Sequence, residues 1–119
     1  MKRSKKIIVS LLILAFWFVP ASMLAAQDLA KGVKFLDDVK KVAWYKTDGK
    51  NIIVGWRGLP DDFYGWNYRT ALRASKFSNY KVYVWAVRYH QKNWSPGEGG
   101  QICISTATRG RFGKTNCKK

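Results

Sequence analysis

The chain offers few side chains for acid–base chemistry. Its single histidine, His90, and its single glutamate, Glu98, lie eight residues apart. A histidine and a carboxylate can share proton transfer during phosphodiester cleavage. Four arginines are candidates for holding the phosphate: Arg57, Arg69, Arg73 and Arg88. This set supports one alternative, a small secreted ribonuclease, but neither residue lies in a catalytic motif, so we expect a domain that is not an enzyme.

The other potential catalytic motifs are incomplete. Ser95 and Ser105 have no partner histidine in a recognisable motif, which leaves nucleophilic catalysis without support. The segment Gly97–Gly100 lacks the lysine and the hydroxyl residue of a phosphate-binding loop. The paired carboxylates Asp37-Asp38 and Asp61-Asp62 have a simpler use at helix ends. We therefore predict neither a metal site nor a cofactor.

The two cysteines, Cys103 and Cys117, predict a disulfide. An exported domain can oxidise them, whereas a metal site would want three or four ligands, and the only histidine is His90. If Arg109–Arg111 forms the turn of a hairpin, residue 103 lies opposite residue 117. Closing a loop of about 15 residues stabilises the fold by roughly 3 kcal/mol.

Aromatic residues are the more informative feature. After position 26 the chain holds five Trp, six Tyr and four Phe, more than a small core encloses. Rings beside cations form surfaces on which bases or sugars stack while the cations hold phosphate or carboxylate groups. We expect Trp44, Trp56 and Trp85 in the core. Trp94 is the best single candidate for an exposed residue that contacts a ligand, although its position favours a ring that fastens its loop. The candidate binding residues are Trp66, Arg69, Arg73, Arg88, His90 and Trp94.

The N-terminal residues follow the order of a secretory signal peptide. A basic cluster from Lys2 to Lys6 precedes a 13-residue, mostly apolar run from Ile7 to Val19, and small residues end at Ala26. The run is shorter than the about 20 residues that a transmembrane helix needs. We therefore predict a signal peptide over 1–26, cleaved after Ala26, and one domain over 27–119 with no membrane span, in the periplasm or secreted. An uncleaved signal-anchor is the alternative.

The charge of the chain favours an anionic partner. Residues 27–119 contain 18 Lys and Arg residues and all seven acidic residues, a net charge of +11. Such a charge attracts nucleic acid, anionic lipid head groups or acidic polysaccharides. The cations adjoin only at Lys40-Lys41 and Lys118-Lys119, without the long basic run of a nucleic-acid patch. We predict an exported binding domain for an anionic cell-envelope component, glycan or protein; the alternative is a secreted nucleic-acid-binding protein or ribonuclease.

Hydrophobic patterning predicts the elements that position these residues. Leu29, Val33 and Leu36 indicate a short helix or a loose lead-in. Asp48-Gly49 is typical of a tight hairpin turn, and the clear alternation of apolar residues over Tyr80–His90 predicts a central strand. The remaining strands are predicted at Val39–Thr47, Asn51–Arg57, Gln101–Thr108 and Phe112–Cys117.

One helix is predicted between the second and third strands. Asp61 or Asp62 begins it as an N-cap, and it ends near Ser78. Its inner face is predicted to hold Tyr64, Tyr68, Ala71, Leu72 and Ser75. The order ββαβββ predicts an α+β fold, a small antiparallel sheet with one helix on a face and a disulfide in the terminal hairpin. The alternative reads 63–74 as a strand and gives an all-β sandwich.

Overall fold

A computed structural model describes residues 29–119, in which one main helix packs on a five-stranded sheet. The elements are a 3-10 helix at Lys34–Asp38, β1 at Val42–Asp48, β2 at Asn51–Trp56, α1 at Phe63–Ser75, β3 at Lys81–Arg88, β4 at Cys103–Thr108 and β5 at Arg111–Thr115. Residues 29–33 are helical and lead into the 3-10 helix. The α+β class and the order ββαβββ are confirmed. The signal peptide and its cleavage after Ala26 fall outside the described residues.

The sheet is mixed, with the strand order β1-β2-β3-β4-β5. β1 and β2 are antiparallel, as are β3 with β4 and β4 with β5, but β2 and β3 are parallel. The prediction of an antiparallel sheet is therefore wrong at the β2–β3 pair. The physical reason is α1, because a helix that returns the chain to the starting edge makes the next strand parallel.

The first hairpin has the predicted turn. Gly49 has a φ of 58°, and Asp48 pairs with Asn51 directly across the turn. Glycine accepts this left-handed conformation without the steric cost of a Cβ. Strand β1 begins at Val42, three residues later than predicted. Val39 instead belongs to the turn after the 3-10 helix, where its carbonyl accepts a hydrogen bond from the Val42 N–H.

Helix α1 begins as predicted but buries a different face. Asp62 is the N-cap, and its Oδ1 accepts a hydrogen bond from the Gly65 N–H at 3.1 Å. The predicted inner face is wrong in part, because Tyr68 is exposed and Tyr64 and Leu72 are only partly buried. The buried residues are Phe63, Asn67, Thr70, Ala71, Ala74 and Ser75.

Polar residues on the buried face of α1 explain this error. The Asn67 amide donates to the Phe63 carbonyl at 2.8 Å, and the Thr70 hydroxyl donates to the Trp66 carbonyl at 2.7 Å. A hydrogen bond to the preceding turn offsets the cost of burying a hydroxyl or an amide. A pattern based on hydrophobicity alone assigns such residues to the solvent face.

The terminal hairpin confirms the disulfide and corrects its turn. Cys103 and Cys117 are bonded, with 4.9 Å between their Cα atoms. The turn consists of Arg109 and Gly110, with φ values of 51° and 79°, rather than three residues. A register shift between Ser105 and Ala107 restores the predicted pairing farther from the turn, so that the two cysteines meet.

The two faces of the sheet differ. The face under α1 carries the main core, including Ile52, Trp56 and Val84. The opposite face carries a smaller cluster of Ile53, Val87 and Trp94, against which Trp44 and Trp85 pack partly buried. Core burial is thus confirmed fully for Trp56 and only in part for Trp44 and Trp85.

Tyr45 ties β1 to the 3-10 helix. Its hydroxyl donates a 2.6 Å hydrogen bond to Asp37 Oδ1. Burial, together with the carboxylate of Asp37, raises the pKa of Tyr45 to about 12. The lead-in is further anchored by Leu29, Val33 and Leu36, which are buried in the main core.

Candidate functional site

The predicted binding residues occupy three separate places. Trp66, Arg69 and Arg73 lie together on α1. Arg88 ends β3 and His90 follows it in a turn, while Trp94 belongs to the loop before β4. Within residues 29–119 no hydrogen bond, ring contact or cation–π contact joins the three places.

Trp94 is buried, so the hypothesis that its ring is exposed to a ligand is wrong. Its side chain is 6% exposed, its ring lies 5.3 Å from that of Trp85, and its indole N–H donates to the Gly99 carbonyl at 2.7 Å. Trp94 thus fastens its loop to the open face of the sheet, which is the interpretation that its position favours.

His90 and Glu98 are engaged with different neighbours. The Glu98 carboxylate accepts a hydrogen bond from the Ser95 N–H within its own loop. His90 is exposed, and its ring meets that of Tyr89 edge-on at 5.6 Å, while the Arg57 guanidinium lies 5.7 Å from the Tyr89 ring. His90 and Glu98 thus contact other neighbours and not each other, so they do not form the acid–base pair that phosphodiester cleavage would need.

Helix α1 and the 3-10 helix build a stack of rings and guanidinium groups. Phe35 and Trp66 are stacked, with 6.4 Å between ring centroids and 18° between planes. The Arg69 guanidinium lies 4.4 Å from the Trp66 ring, and that of Arg73 lies 4.4 Å from the Phe35 ring. Three of these four residues come from one helix face, where a spacing of three or four residues places side chains side by side.

Asp62 contacts one member of this stack, Arg69. Its Oδ2 forms a 3.1 Å salt bridge with Arg69, while its Oδ1 caps the helix. The guanidinium of Arg69 therefore lies between a carboxylate and the Trp66 ring. A ring held by cation–π and stacking contacts loses less entropy when a ligand binds to it.

Trp66 forms one wall of a surface groove of about 430 Å³. We call it the Trp66 groove; its lining residues are Asp38, Val39, Lys40, Lys41, Pro60, Asp61 and Trp66. One wall comes from the turn after the 3-10 helix and the other from the start of α1. The volume lies in the range of small-ligand sites.

The indole N–H of Trp66 differs from those of the other tryptophans. Trp44, Trp85 and Trp94 donate to protein oxygens, and the Trp56 N–H is buried. Among residues 29–119, Trp66 is thus the one tryptophan whose N–H neither meets a protein acceptor nor lies buried. The residues that line the groove therefore include one tryptophan, two lysines and two aspartates.

Sequence reasoning selected Trp66 but not the other wall of its groove. The adjacent pair Lys40-Lys41 was noticeable only as one of two lysine pairs. Phe35, which stacks on Trp66, was hidden in the lead-in. These residues reach the site because the 3-10 helix packs beside α1, which hydrophobic spacing does not reveal.

A second group of cations and rings lies on the open face of the sheet. The ammonium groups of Lys50 and Lys81 lie 5.5 and 5.4 Å from the centroid of the Tyr83 ring. We call this the Tyr83 cluster. The parallel pairing of Asn51 with Tyr83 brings Lys50 beside β3, so the sequence could not indicate this cluster without the crossover.

Positive charge is largely uncompensated in the described part of the chain. One salt bridge joins Arg69 to Asp62, and the other 17 cations of residues 29–119 have no carboxylate from the same range within 4.0 Å. In those residues, no group of three or more His, Cys, Asp and Glu side chains is placed to hold a metal ion. None of the helices from residue 29 onward is long and apolar enough to cross a membrane.

Comparisons with protein-family models, with curated proteins and with solved structures found no match for this chain.

Proposed function

We propose that this chain is an exported binding protein whose ligand is an acidic glycan of the cell envelope. The observation that carries the proposal is the Trp66 groove, where a fixed indole lies beside Lys40 and Lys41. Acidic sugars offer an apolar ring face and a carboxylate together. An indole and a pair of ammonium groups match both parts.

The geometry favours recognition of sugar over simple attraction of charge. Asp38 and Asp61 line the groove with the two lysines, so its walls present acceptors as well as donors. Sugar hydroxyls need both, because each hydroxyl donates one hydrogen bond and accepts others. A purely cationic groove would suit phosphate, whereas this mixed set suits a hydroxyl-rich ligand with one negative charge.

The net charge supports capture of a polymer. With 17 cations unpaired in residues 29–119, the domain has a long-range field that attracts a polyanion. The field would speed association, while the groove would select the ligand.

Export is part of the proposal. The signal-like order of residues 1–26 supports it, and the Cys103–Cys117 bond is typical of oxidising compartments outside the cytoplasm.

The test is a calorimetric titration of the exported protein with an oligosaccharide of hexuronic acid. We expect saturable binding that Trp66→Leu weakens about tenfold, since the variant removes the indole ring and its N–H from the wall of the groove. The double variant K40Q/K41Q should weaken binding and reduce its dependence on salt. The matched control is K50Q/K81Q in the Tyr83 cluster, which removes the same charge and should leave most of the affinity.

Two results would overturn the proposal. One is an affinity that falls equally in K40Q/K41Q and K50Q/K81Q with no effect of Trp66→Leu, since that pattern reports charge alone. The other is tighter binding of RNA than of the oligosaccharide, or RNA cleavage that His90→Ala abolishes.

A further inference from the structure

A second groove lies directly beside the Trp66 groove. Its volume is about 340 Å³, and it lies between the Leu59–Phe63 segment, the start of β4 and the C-terminal residues. Leu59, Phe63 and Ile102 give it an apolar lining, and Lys118 and Lys119 also border it. We call it the Leu59 groove.

The two grooves share a wall. Pro60 and Asp61 line both of them, so the short segment between β2 and α1 separates the two spaces. A ligand that crosses this segment would touch the indole on one side and the apolar lining on the other. The Trp66 groove and the Leu59 groove are therefore adjacent parts of one surface.

Leu59 is unusually exposed for a large apolar residue. Half of its surface, 50%, is open to solvent, while Phe63 below it is 7% exposed. Covering an exposed apolar side chain and the apolar groove beside it with a hydrocarbon lowers the free energy. An acyl chain is a ligand of that kind.

The basic residues near this groove indicate the charge of the ligand. Lys118 and Lys119 are exposed, and no carboxylate of residues 29–119 pairs with either of them. Lys119 Nζ lies 5.3 Å from the ring of Tyr64, which places it near the outer face of α1. Two such ammonium groups beside an apolar lining suit an amphiphile with a negative head.

We infer that the paired grooves bind one ligand, an anionic glycolipid, with its acidic sugar in the Trp66 groove and the first part of its acyl chain in the Leu59 groove. The inference rests on the proposed function, because it identifies the acidic glycan as the head group of a lipid. The protein would then hold a single lipid molecule by its sugar and by the base of its chain.

The experiment compares octyl glucuronide, below its micelle concentration, with methyl glucuronide by NMR titration of the exported protein. Octyl glucuronide should bind at least about tenfold more tightly, because each methylene removed from water is worth about fourfold in affinity. Octyl glucoside, which has the same chain and a neutral head, should bind more weakly than octyl glucuronide. K40Q/K41Q, which removes the two lysines of the Trp66 groove, should reduce the difference in affinity between octyl glucuronide and octyl glucoside.

Leu59→Ser should remove most of the advantage of the octyl chain without changing the affinity for methyl glucuronide. The matched control is Phe77→Ser, because Phe77 is 46% exposed and lines neither groove. A thermal melt of each variant verifies that the fold is retained.

The outcomes separate the two proposals. Equal affinities for octyl and methyl glucuronide would overturn the glycolipid inference and leave the glycan function standing. Binding of octyl glucoside as tight as that of octyl glucuronide would also overturn it, since the site would then recognise only a hydrocarbon chain. If neither methyl glucuronide nor the longer oligosaccharide binds, the proposed function itself fails.

Discussion

Removal of the disulfide is the sharpest test of how the terminal hairpin is held. In C103A/C117A the bond between residues 14 apart in sequence is lost, while the two side chains remain small and apolar. Closing a loop of about 15 residues restricts the unfolded chain by roughly 3 kcal/mol. None of the five residues of β5 is fully buried and its pairing with β4 is irregular. Its other contacts are the ring contact of Phe112 with Tyr68 and hydrogen bonds of Lys114 and Thr115 to β4.

The free energy of unfolding should therefore fall by about 3 kcal/mol, which lowers the melting temperature by roughly 10–25 °C for a domain of this size. Urea denaturation followed by tryptophan fluorescence measures the first quantity, and calorimetry measures the second. The wild-type protein in reductant serves as a control and should match the double variant. A loss below about 1 kcal/mol would refute the reasoning, because β5 would then be held by its non-covalent contacts.

Three further changes test local features of the fold. Gly55→Ala would place a Cβ 2.2 Å from the Trp44 ring, so urea denaturation should show a loss of about 1–3 kcal/mol. Asp62→Ala removes a helix cap and a salt bridge and should cost about 1 kcal/mol in the same assay, whereas the control Asp61→Ala should cost less. Because the pKa of Tyr45 is raised to about 12 from 10.0, the native protein keeps that proton when the unfolded chain has lost it. Stability should thus fall between pH 10 and 12, and Tyr45→Phe should remove that part of the fall; an unchanged pH profile would contradict the assignment.

Local features of the fold could be predicted from the sequence because each depends on neighbouring residues. The Asp48-Gly49 turn and the Asp62 cap each depend on the types of no more than four consecutive residues, and both are found in the structure. The disulfide could be predicted because the chain has only two cysteines and the strand register brings them together. The alternation along β3 was similarly clear, and that strand is the central one of five.

The parallel pair of strands could not be predicted in the same way. The segments of β2 and β3 are the same in a parallel and an antiparallel sheet, and the difference lies in the path of the connecting chain. The buried face of α1 was missed for another reason, since it includes the polar residues Asn67 and Thr70, whose amide N–H and hydroxyl donate to carbonyls of the preceding turn. The first error arises where the path of the chain decides the pairing, and the second where buried polar residues break the hydrophobic pattern.

The candidate site was only partly predictable. Trp66 and Arg69 are three residues apart on one helix, so their contact follows from helical spacing. Lys40 and Phe35 reach the same surface through packing of the lead-in, which the sequence does not encode in any short motif. A loop position does not show whether Trp94 is exposed or fastens its loop, and in the structure its ring and its N–H both contact the protein.

The most direct test of glycan binding is the indole region of the proton–nitrogen correlation spectrum during titration with the hexuronic acid oligosaccharide. Residues 27–119 contain five tryptophans, so each indole N–H can be followed separately. The account predicts that the Trp66 signal shifts progressively and saturates, while the signals of Trp56 and Trp94 remain in place. A static Trp66 signal, or a larger shift at Trp85 beside the Tyr83 cluster, would contradict it.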